Sequence, residues 1–236
     1  MLFVGITGGV GAGKSEILNY LKTYYNSKVM LTDEIAHDLM EPGTDCYQKL
    51  RELFDAQSLQ GRECLQPFFD EEPDFSVYQE DGSFHRPNLA KVIFTDEHLR
   101  EQMNAIVHPA VKQYVVDVYQ AQLECANGSK ASDDTAAKKK ALDLLVVESA
   151  LLIDDNYGAI CEEMWYIYTS EENRAIRLKA SRGYSDAKIQ SIFASQLSEA
   201  EFRKHCVEVI DNNQTPQDAF LQLDQILAKK GINKII

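Results

Sequence analysis

The residues that most plainly indicate chemistry are 8–15, which read Gly-Gly-Val-Gly-Ala-Gly-Lys-Ser. This spacing fits G-x-x-x-x-G-K-[ST], a loop whose backbone N–H groups surround phosphate oxygens. In such a loop Lys14 would reach the β- and γ-phosphates, and the Ser15 hydroxyl would bind Mg²⁺. A glycine-rich turn that matches by chance is the alternative. The motif predicts that a nucleotide is bound by Gly9, Val10, Gly11, Ala12, Gly13, Lys14 and Ser15.

The flanking sequence supplies the elements that such a loop needs. Residues 2–7 form a short apolar run typical of a strand, and residues 16–25 carry Ile17, Leu18 and Leu21 at helical spacing. Strand, glycine loop and helix in this order are the context in which the motif makes physical sense. The helix N-terminus would add positive partial charge beside a bound phosphate.

Further apolar runs alternate with helical segments, which predicts an α/β fold with a parallel sheet. Their apolar content is nearly continuous, as expected for strands that helices cover on both faces. The predicted strands are residues 2–7, 28–32, 142–148, 164–169 and 207–210. The last helix is predicted at 216–229, with Pro216 in its first turn.

Two stretches interrupt this alternation within what we predict to be a single domain, 1–236. Residues 60–125 are too many for a simple crossover and predict an inserted helical subdomain. Residues 125–140 are rich in Lys, Ser, Asp and Ala, a composition typical of a solvated, mobile loop.

Asp33 follows the second predicted strand. Ligands of parallel α/β sheets bind beyond the carboxyl ends of the strands. A carboxylate there can accept the proton of an alcohol during phosphoryl transfer. Capping of the next helix by Asp33 or Thr32 explains the residue equally well.

Residues 174–200 are rich in basic side chains, among them Arg174, Arg177 and Arg182. A helical hairpin with arginines can close over ATP and stabilise charge on the transferring phosphoryl group. Arginines paired on an exposed helix are the alternative. The polar turn at 211–213 could place Asn212 against the adenine, although turn formation alone also accounts for it.

The overall charge limits the kinds of molecule that the protein is expected to bind. With 24 basic and 37 acidic residues the formal charge is −13, which argues against a nucleic acid or an anionic membrane as a partner.

The N-terminal run lacks the basic segment of a signal peptide, and no run approaches the ~20 apolar residues of a membrane span. A cytoplasmic protein is expected. The five cysteines form no C-x-x-C pair, so neither a zinc site nor a disulfide framework is indicated.

Together these features resemble one family, the dephospho-coenzyme A (dephospho-CoA) kinases, over nearly the whole chain. The glycine loop and the Thr-Asp-Glu-Ile-Ala-His segment after the second strand are similar to the family's opening motifs. Its R-x-x-L-A-x-x-[VI]-F and L-N-x-[IL]-x-H-P motifs are represented further along. The matching residues are 5–15, 32–37, 41–43, 86–94, 104–109, 150–152, Gln196 and 209–213.

The resemblance implies a P-loop kinase fold, in which the 60–125 insertion binds the acceptor and residues 174–200 form a lid. It implies transfer of the γ-phosphoryl group of ATP, with Mg²⁺, to the ribose 3′-hydroxyl of dephospho-CoA, the final step of coenzyme A biosynthesis. Asp33 would act as the base or orient the hydroxyl. Arg86 and His108 would help to hold the acceptor. The His108–Pro109 pair also fits a structural turn.

The chain departs from the family pattern in the lid. The family carries R-x-x-x-R, and Arg177 matches its first arginine, but Ser181 falls at the second and Arg182 comes one residue later. One residue rotates a helix position by about 100°. Either Arg182 reaches the phosphates from this shifted position, or another arginine such as Arg174 supplies the charge. The predicted catalytic residues are Lys14, Asp33, Arg177 and Arg182.

Two other functions remain open from the sequence. Nucleoside monophosphate, gluconate and shikimate kinases share the loop and the parallel sheet, and fold alone does not decide the substrate. The R-x-x-L-A and His-Pro segments favour the coenzyme A precursor. A nucleotide-dependent switch without an acceptor is the more distant alternative.

Overall fold

The computed structural model describes residues 1–128 and 141–235, which form two compact units. One unit comprises Met1–Leu31 and Val116–Ile236, and the other comprises Thr32–Val115. The first unit holds a parallel sheet with strand order β2-β3-β1-β4-β5, so that β1 is central. The strands are β1 (Leu2–Thr7), β2 (Ser27–Leu31), β3 (Leu144–Glu148), β4 (Glu163–Tyr168) and β5 (Glu208–Asp211). The predicted α/β class and the five-stranded parallel sheet are confirmed.

The α-helices of the described residues follow the strands in the predicted alternation. They are α1 (Lys14–Tyr24), α2 (Thr32–Leu39), α3 (Asp45–Leu53), α4 (Ala56–Gln60), α5 (Gln66–Glu71), α6 (Arg86–Thr95), α7 (Glu97–Gly128), α8 (Glu171–Arg182), α9 (Asp186–Ala194), α10 (Glu199–His205) and α11 (Pro216–Lys229). The bounds of β1 and α11 are those predicted. The other strands begin and end within two residues of the prediction. For example, β2 ends at Leu31 because Thr32 already begins α2.

The core of the first unit explains why its strands are apolar almost throughout. Val4 and Ile6 of β1, with Trp165 and Ile167 of β4, are fully buried against α1 and α11. Phe3, which precedes Val4 in β1 and therefore faces the other side of the sheet, is fully buried as well. Because neighbouring strand residues face opposite sides of a sheet, burial of both sets means that both faces are covered.

Asp224 of α11 is the centre of a polar cluster in this unit. Its carboxylate accepts hydrogen bonds from Tyr20 at 2.8 Å and Tyr25 at 2.6 Å, and it pairs with Lys234 at 2.7 Å. Burial opposes ionisation of Asp224, but the hydrogen bonds from Lys234, Tyr25 and Tyr20 outweigh it and lower the carboxyl pKa. The charged carboxylate therefore holds α11, α1 and the segment of Lys234 together.

We expect Asp224→Asn to lower the free energy of unfolding by about 1–2 kcal/mol near pH 7, since hydrogen bonds to a charged group are lost. A carboxyl whose pKa is lowered by folding stabilises above its unfolded-state pKa, and this contribution is lost as the pH falls through its folded-state pKa. The Tm difference between wild type and variant should thus shrink from about pH 7 to about pH 3. An equal Tm difference at both pH values would contradict an ionised Asp224.

The second unit is helical and is larger than the predicted insertion. Tyr47 of α3 packs against Phe84 with ring centroids 5.6 Å apart, and its hydroxyl donates to the Gly82 carbonyl. Glu41, just after α2, pairs with Arg86 at 3.1 Å. The unit therefore begins at Thr32 rather than at residue 60, because the helices that follow β2 pack with those of the insertion.

The helix α7 contains two of the sequence predictions. Pro109 lies inside it, so that His108 and Pro109 are helical and do not form a turn. Residues 125–128, predicted as the start of a mobile loop, are its last residues, and 129–140 lie outside the described residues. Within the described ranges no helix is long and apolar enough to cross a membrane.

Candidate active site

The glycine loop joins the carboxyl end of the central strand β1 to the N-terminus of α1. Gly11 and Gly13 have φ of 85° and 86°, a left-handed conformation that side chains with a Cβ rarely adopt. Gly13 is the N-cap of α1. The Asn212 side-chain amide occupies the space that a Cβ on Gly13 would need. The first N–H groups of α1 have no partner within the helix, which makes this end suited to an anion.

Lys14 is held at the loop by two oxygens. Its Nζ donates to the Gly8 carbonyl at 2.8 Å and lies 3.4 Å from Oε1 of Glu148. Glu148 is the last residue of β3 and pairs in register with Ile6 of β1. The parallel register thus places its carboxylate at the edge of the sheet where the loop begins.

Arg177 of α8 and Asn212 support the other side of the loop. The Asn212 amide, which is buried, donates to the Ala12 carbonyl at 2.8 Å. Arg177 donates through Nη2 to the Asn212 carbonyl at 2.7 Å and through Nη1 to the Ala12 carbonyl at 3.5 Å. Thr169 also donates to the Ala12 carbonyl, at 3.1 Å. These side chains fix the turn that leads into Lys14.

The middle of the loop is held by Arg174 and Gln196. Arg174 donates through Nε to the Val10 carbonyl at 2.9 Å, and the Val10 N–H donates to Oε1 of Gln196 at 3.3 Å. Arg174 also donates to Gln196. Leu178, one turn further along α8, lies against Gly11. The arginine-rich helix α8 therefore packs directly on the glycine loop.

Arg182 and Ser181 lie at the exposed end of α8. Ser181 donates back to the Arg177 carbonyl at 2.7 Å, as hydroxyls in helices often do. The Arg182 guanidinium carbon lies 5.9 Å from the ring centroid of Tyr184. Gly183 ends the helix with φ 64°, and Ser185 caps α9. The predicted helical hairpin is present, with Arg182 at its turn.

A cavity of about 330 Å³ opens beside the loop within the first unit. Lys14 and the loop form one wall, the segment after β3 forms a second, and the segment after α9 forms a third. Its lining residues are Gly8, Val10, Lys14, Ala150, Leu151, Asp154, Ala194, Ser195, Gln196, Leu197 and Phe202. The cavity gives a ligand access to the Lys14 side of the loop.

The remaining predicted residues belong to the second unit. Asp33 is exposed in the first turn of α2, two residues after Leu31, the register partner of Glu148. Arg86 begins α6 and is about half exposed, paired with Glu41. His108 is partly buried on α7. Their roles stay predictions.

The structure draws attention to residues to which the sequence analysis gave no role. Glu148 was only the last residue of a predicted strand, although an acidic residue at the end of an apolar strand was a usable signal. Arg174 was considered only as an alternative source of positive charge. Its contact with Val10 spans 164 residues of sequence, and no local pattern predicts such a contact.

A parallel sheet with a phosphate loop after its central strand, and a basic helix packed on that loop, define a P-loop kinase fold. The chain matches the dephospho-CoA kinase family over residues 2–67 and 63–218. A dephospho-CoA kinase of Oceanobacillus iheyensis is 30% identical over 232 residues, covering 98% of this chain and 99% of the relative. This chain belongs to the dephospho-CoA kinase family.

Further relatives agree with this assignment. A dephospho-CoA kinase of Geobacter sulfurreducens is 26% identical, over 98% of this chain and 99% of the relative. The solved structure of the dephospho-CoA kinase from Campylobacter jejuni shares the fold, with a TM-score of 0.61 and 17% identity over 97% of this chain and 98% of that one.

Proposed function

We propose that this protein transfers the γ-phosphoryl group of ATP to the ribose 3′-hydroxyl of dephospho-CoA and thereby forms coenzyme A. The observation that carries the proposal is the formed phosphate loop, with Lys14 at the start of α1, in a chain that matches this kinase family along nearly its whole length. In the reaction a bond forms between O3′ and the γ-phosphorus. The bond to the β–γ bridging oxygen breaks, and ADP leaves with its electron pair.

The loop binds the phosphates of ATP in this proposal. The Val10 and Ala12 N–H groups are already bound within the protein, to Gln196 and to the Gly9 carbonyl, so the remaining N–H groups of residues 9–15 would surround the phosphate oxygens. Lys14 exchanges the Gly8 carbonyl for the β- and γ-phosphates. Lys14 is well placed for this, because Lys14 and Gly8, whose carbonyl it contacts, both line the cavity beside the loop. Asn212 contributes by keeping Ala12 and Gly13 in place rather than through an exposed polar group.

The side-chain oxygens of residues near the loop are suitable ligands for Mg²⁺, a hard cation that prefers oxygen. Ser15 is exposed in the first turn of α1, and Glu148 presents a carboxylate at the end of β3. Bound with ATP, Mg²⁺ would neutralise charge on the β- and γ-phosphates. Ser15 would hold it directly, and Glu148 would orient Lys14 and attract the cation.

Asp33 is the residue proposed to accept or orient the proton of the 3′-hydroxyl. It follows β2 at the carboxyl edge of the sheet, where ligands of parallel α/β folds bind. Its exposed position leaves the carboxylate available to a substrate. Arg86 and His108, in the same helical unit, are proposed to bind the acceptor, for which a guanidinium suits phosphate groups.

We expect Arg182→Ala to lower kcat by about 10²–10³-fold, the usual effect of losing a donor that stabilises charge in the transition state. Ser181→Ala is the matched control, since Ser181 bonds only to its own helix in the contacts described above. Steady-state kinetics of both variants would check this. Wild-type rates for both would remove Arg182 from the catalytic residues and leave Arg177.

The product distinguishes this reaction from those of related kinases. We would incubate the purified protein with Mg·ATP and dephospho-CoA and analyse the product by mass and ³¹P NMR. A product one phosphate heavier, with the new phosphate on the 3′ oxygen of the ribose, is expected. A phosphate at another position, or turnover only with a different alcohol, would contradict the proposed acceptor.

A further inference from the structure

Val10, in the middle of the phosphate loop, has both of its backbone polar groups bound by side chains, one from α8 and one from the segment that follows α9. Its carbonyl accepts from Arg174 Nε at 2.9 Å, and its N–H donates to Gln196 Oε1 at 3.3 Å. Because Arg174 also donates to Gln196, the three residues form a closed set of hydrogen bonds. The position of Val10 is thereby tied to the helical hairpin.

Arg174 itself is unusually confined for an arginine. Its residue surface is only 7% exposed, and its guanidinium carbon lies 4.3 Å from the ring centroid of Phe193. Burial lowers the pKa of Arg174 from its ordinary value, yet an arginine keeps its proton in proteins. A buried charge is costly unless its donors are engaged, so these contacts fix the side chain.

Gly9 provides independent evidence for the importance of this contact. Its φ lies outside the left-handed region, unlike those of Gly11 and Gly13, so its backbone does not itself require glycine. A Cβ on Gly9 would overlap the guanidinium carbon and both terminal nitrogens of Arg174. Glycine at this position leaves the space that Arg174 fills.

We propose that Arg174 is a positioning residue, which fixes Val10 and so holds the phosphate loop in the shape that receives ATP, without touching the phosphates. This inference extends the proposed function and depends on one part of it, the binding of ATP by the loop. Residues 8–13 include four glycines, and a chain of this kind samples many conformations when nothing holds it. Ordering such a loop in advance improves affinity by reducing what binding must order.

The first test compares Arg174→Met, which keeps an unbranched side chain beside Phe193 but removes the donors, with Arg174→Lys, which keeps a charged donor. We expect the Kd for Mg·ATP, measured by calorimetry without acceptor, to rise about 10- to 100-fold in the methionine variant. The lysine variant should lie between it and wild type. Lys179→Ala, on the exposed side of α8, is the control and should bind ATP as wild type does.

Comparing the change in kcat with the change in ATP affinity distinguishes a positioning role of Arg174 from a catalytic role. At saturating ATP we expect kcat of Arg174→Met to stay within about threefold of wild type, because the lost interaction acts on binding. A fall in kcat of about 10²-fold at unchanged Kd would overturn the proposal, since it would place Arg174 on the transferring phosphate. Unchanged Kd and kcat would overturn it as well.

The second test uses Gly9 and does not depend on the stability of one variant. Gly9→Ala as a single substitution should raise the Kd for Mg·ATP, because the new Cβ overlaps the Arg174 guanidinium. The same substitution should have a much smaller effect in the Arg174→Met variant, which has no guanidinium to overlap. An equal effect in both backgrounds would contradict the role of Arg174. Since ATP binding is measured alone, failure of the acceptor reaction and failure of this inference give different results.

Discussion

Lys14→Ala is expected to lower kcat/KM for ATP by about 10²–10³-fold or more, the usual effect of losing a group that stabilises charge in the transition state. The Lys14 ammonium is the cation proposed to contact the β- and γ-phosphates, on which negative charge develops as the γ-phosphoryl group leaves ADP. The structure holds it between the Gly8 carbonyl and Glu148, from which it can turn to a bound phosphate. Steady-state kinetics with ATP as the varied substrate would check the prediction.

Lys22→Ala is the matched control for this experiment. Lys22 lies on the same helix, in its last turn, and is exposed. Its loss should leave kcat/KM near the wild-type value, and thermal unfolding should show both variants folded. Comparable rates in Lys14→Ala and wild type would contradict the assignment of residues 8–15 as the catalytic phosphate loop.

Asp33→Asn should lower kcat by about 10²–10⁴-fold, the range typical of general acid–base groups. ATP affinity should change little, because Asp33 is proposed to contact the acceptor hydroxyl and not the nucleotide. Asparagine keeps the size of the side chain and can still cap a helix, so helix capping alone predicts nearly full activity. Measurement of kcat and of the Kd for Mg·ATP separates the two roles.

The control is Asp38→Asn, an exposed carboxylate on the same short helix α2. We expect it to behave as wild type. Phosphoryl transfer with a loose transition state needs little base assistance, so a fall of only about tenfold in Asp33→Asn would indicate orientation of the hydroxyl rather than proton removal. Full turnover would leave Asp33 as a helix residue without a catalytic role.

The fold could be predicted largely from local patterns. β1 and α11 have their predicted bounds because their signals are local: an apolar run that ends at a glycine loop, and a Thr215 cap followed by Pro216. The start of the helical unit at Thr32 has no local signal in the sequence, since the residues that pack together there are far apart along the chain. Tyr47 and Phe84, or Glu41 and Arg86, are brought together only by the tertiary fold.

The site was predicted in outline, because the phosphate-loop motif is contiguous in sequence. The residues that hold the loop in place were not predicted, because their contacts depend on the strand order of the sheet and on pairs far apart in sequence. Glu148 meets Lys14 only because β3 pairs with β1, and Arg174 reaches Val10 from a helix 164 residues away. Asn212, predicted to bind adenine, donates to the Ala12 carbonyl from a buried position, which no feature of its polar turn indicated.

The central claim is that this chain is a kinase for dephospho-CoA. Its most direct test is the rate of ADP formation by the purified protein with Mg·ATP, in the presence and in the absence of dephospho-CoA. An active site that excludes water hydrolyses ATP slowly by itself, so we expect strong stimulation by the acceptor. Bound ATP with equal, slow ADP formation in both reactions would contradict the claim and would favour a nucleotide-dependent switch.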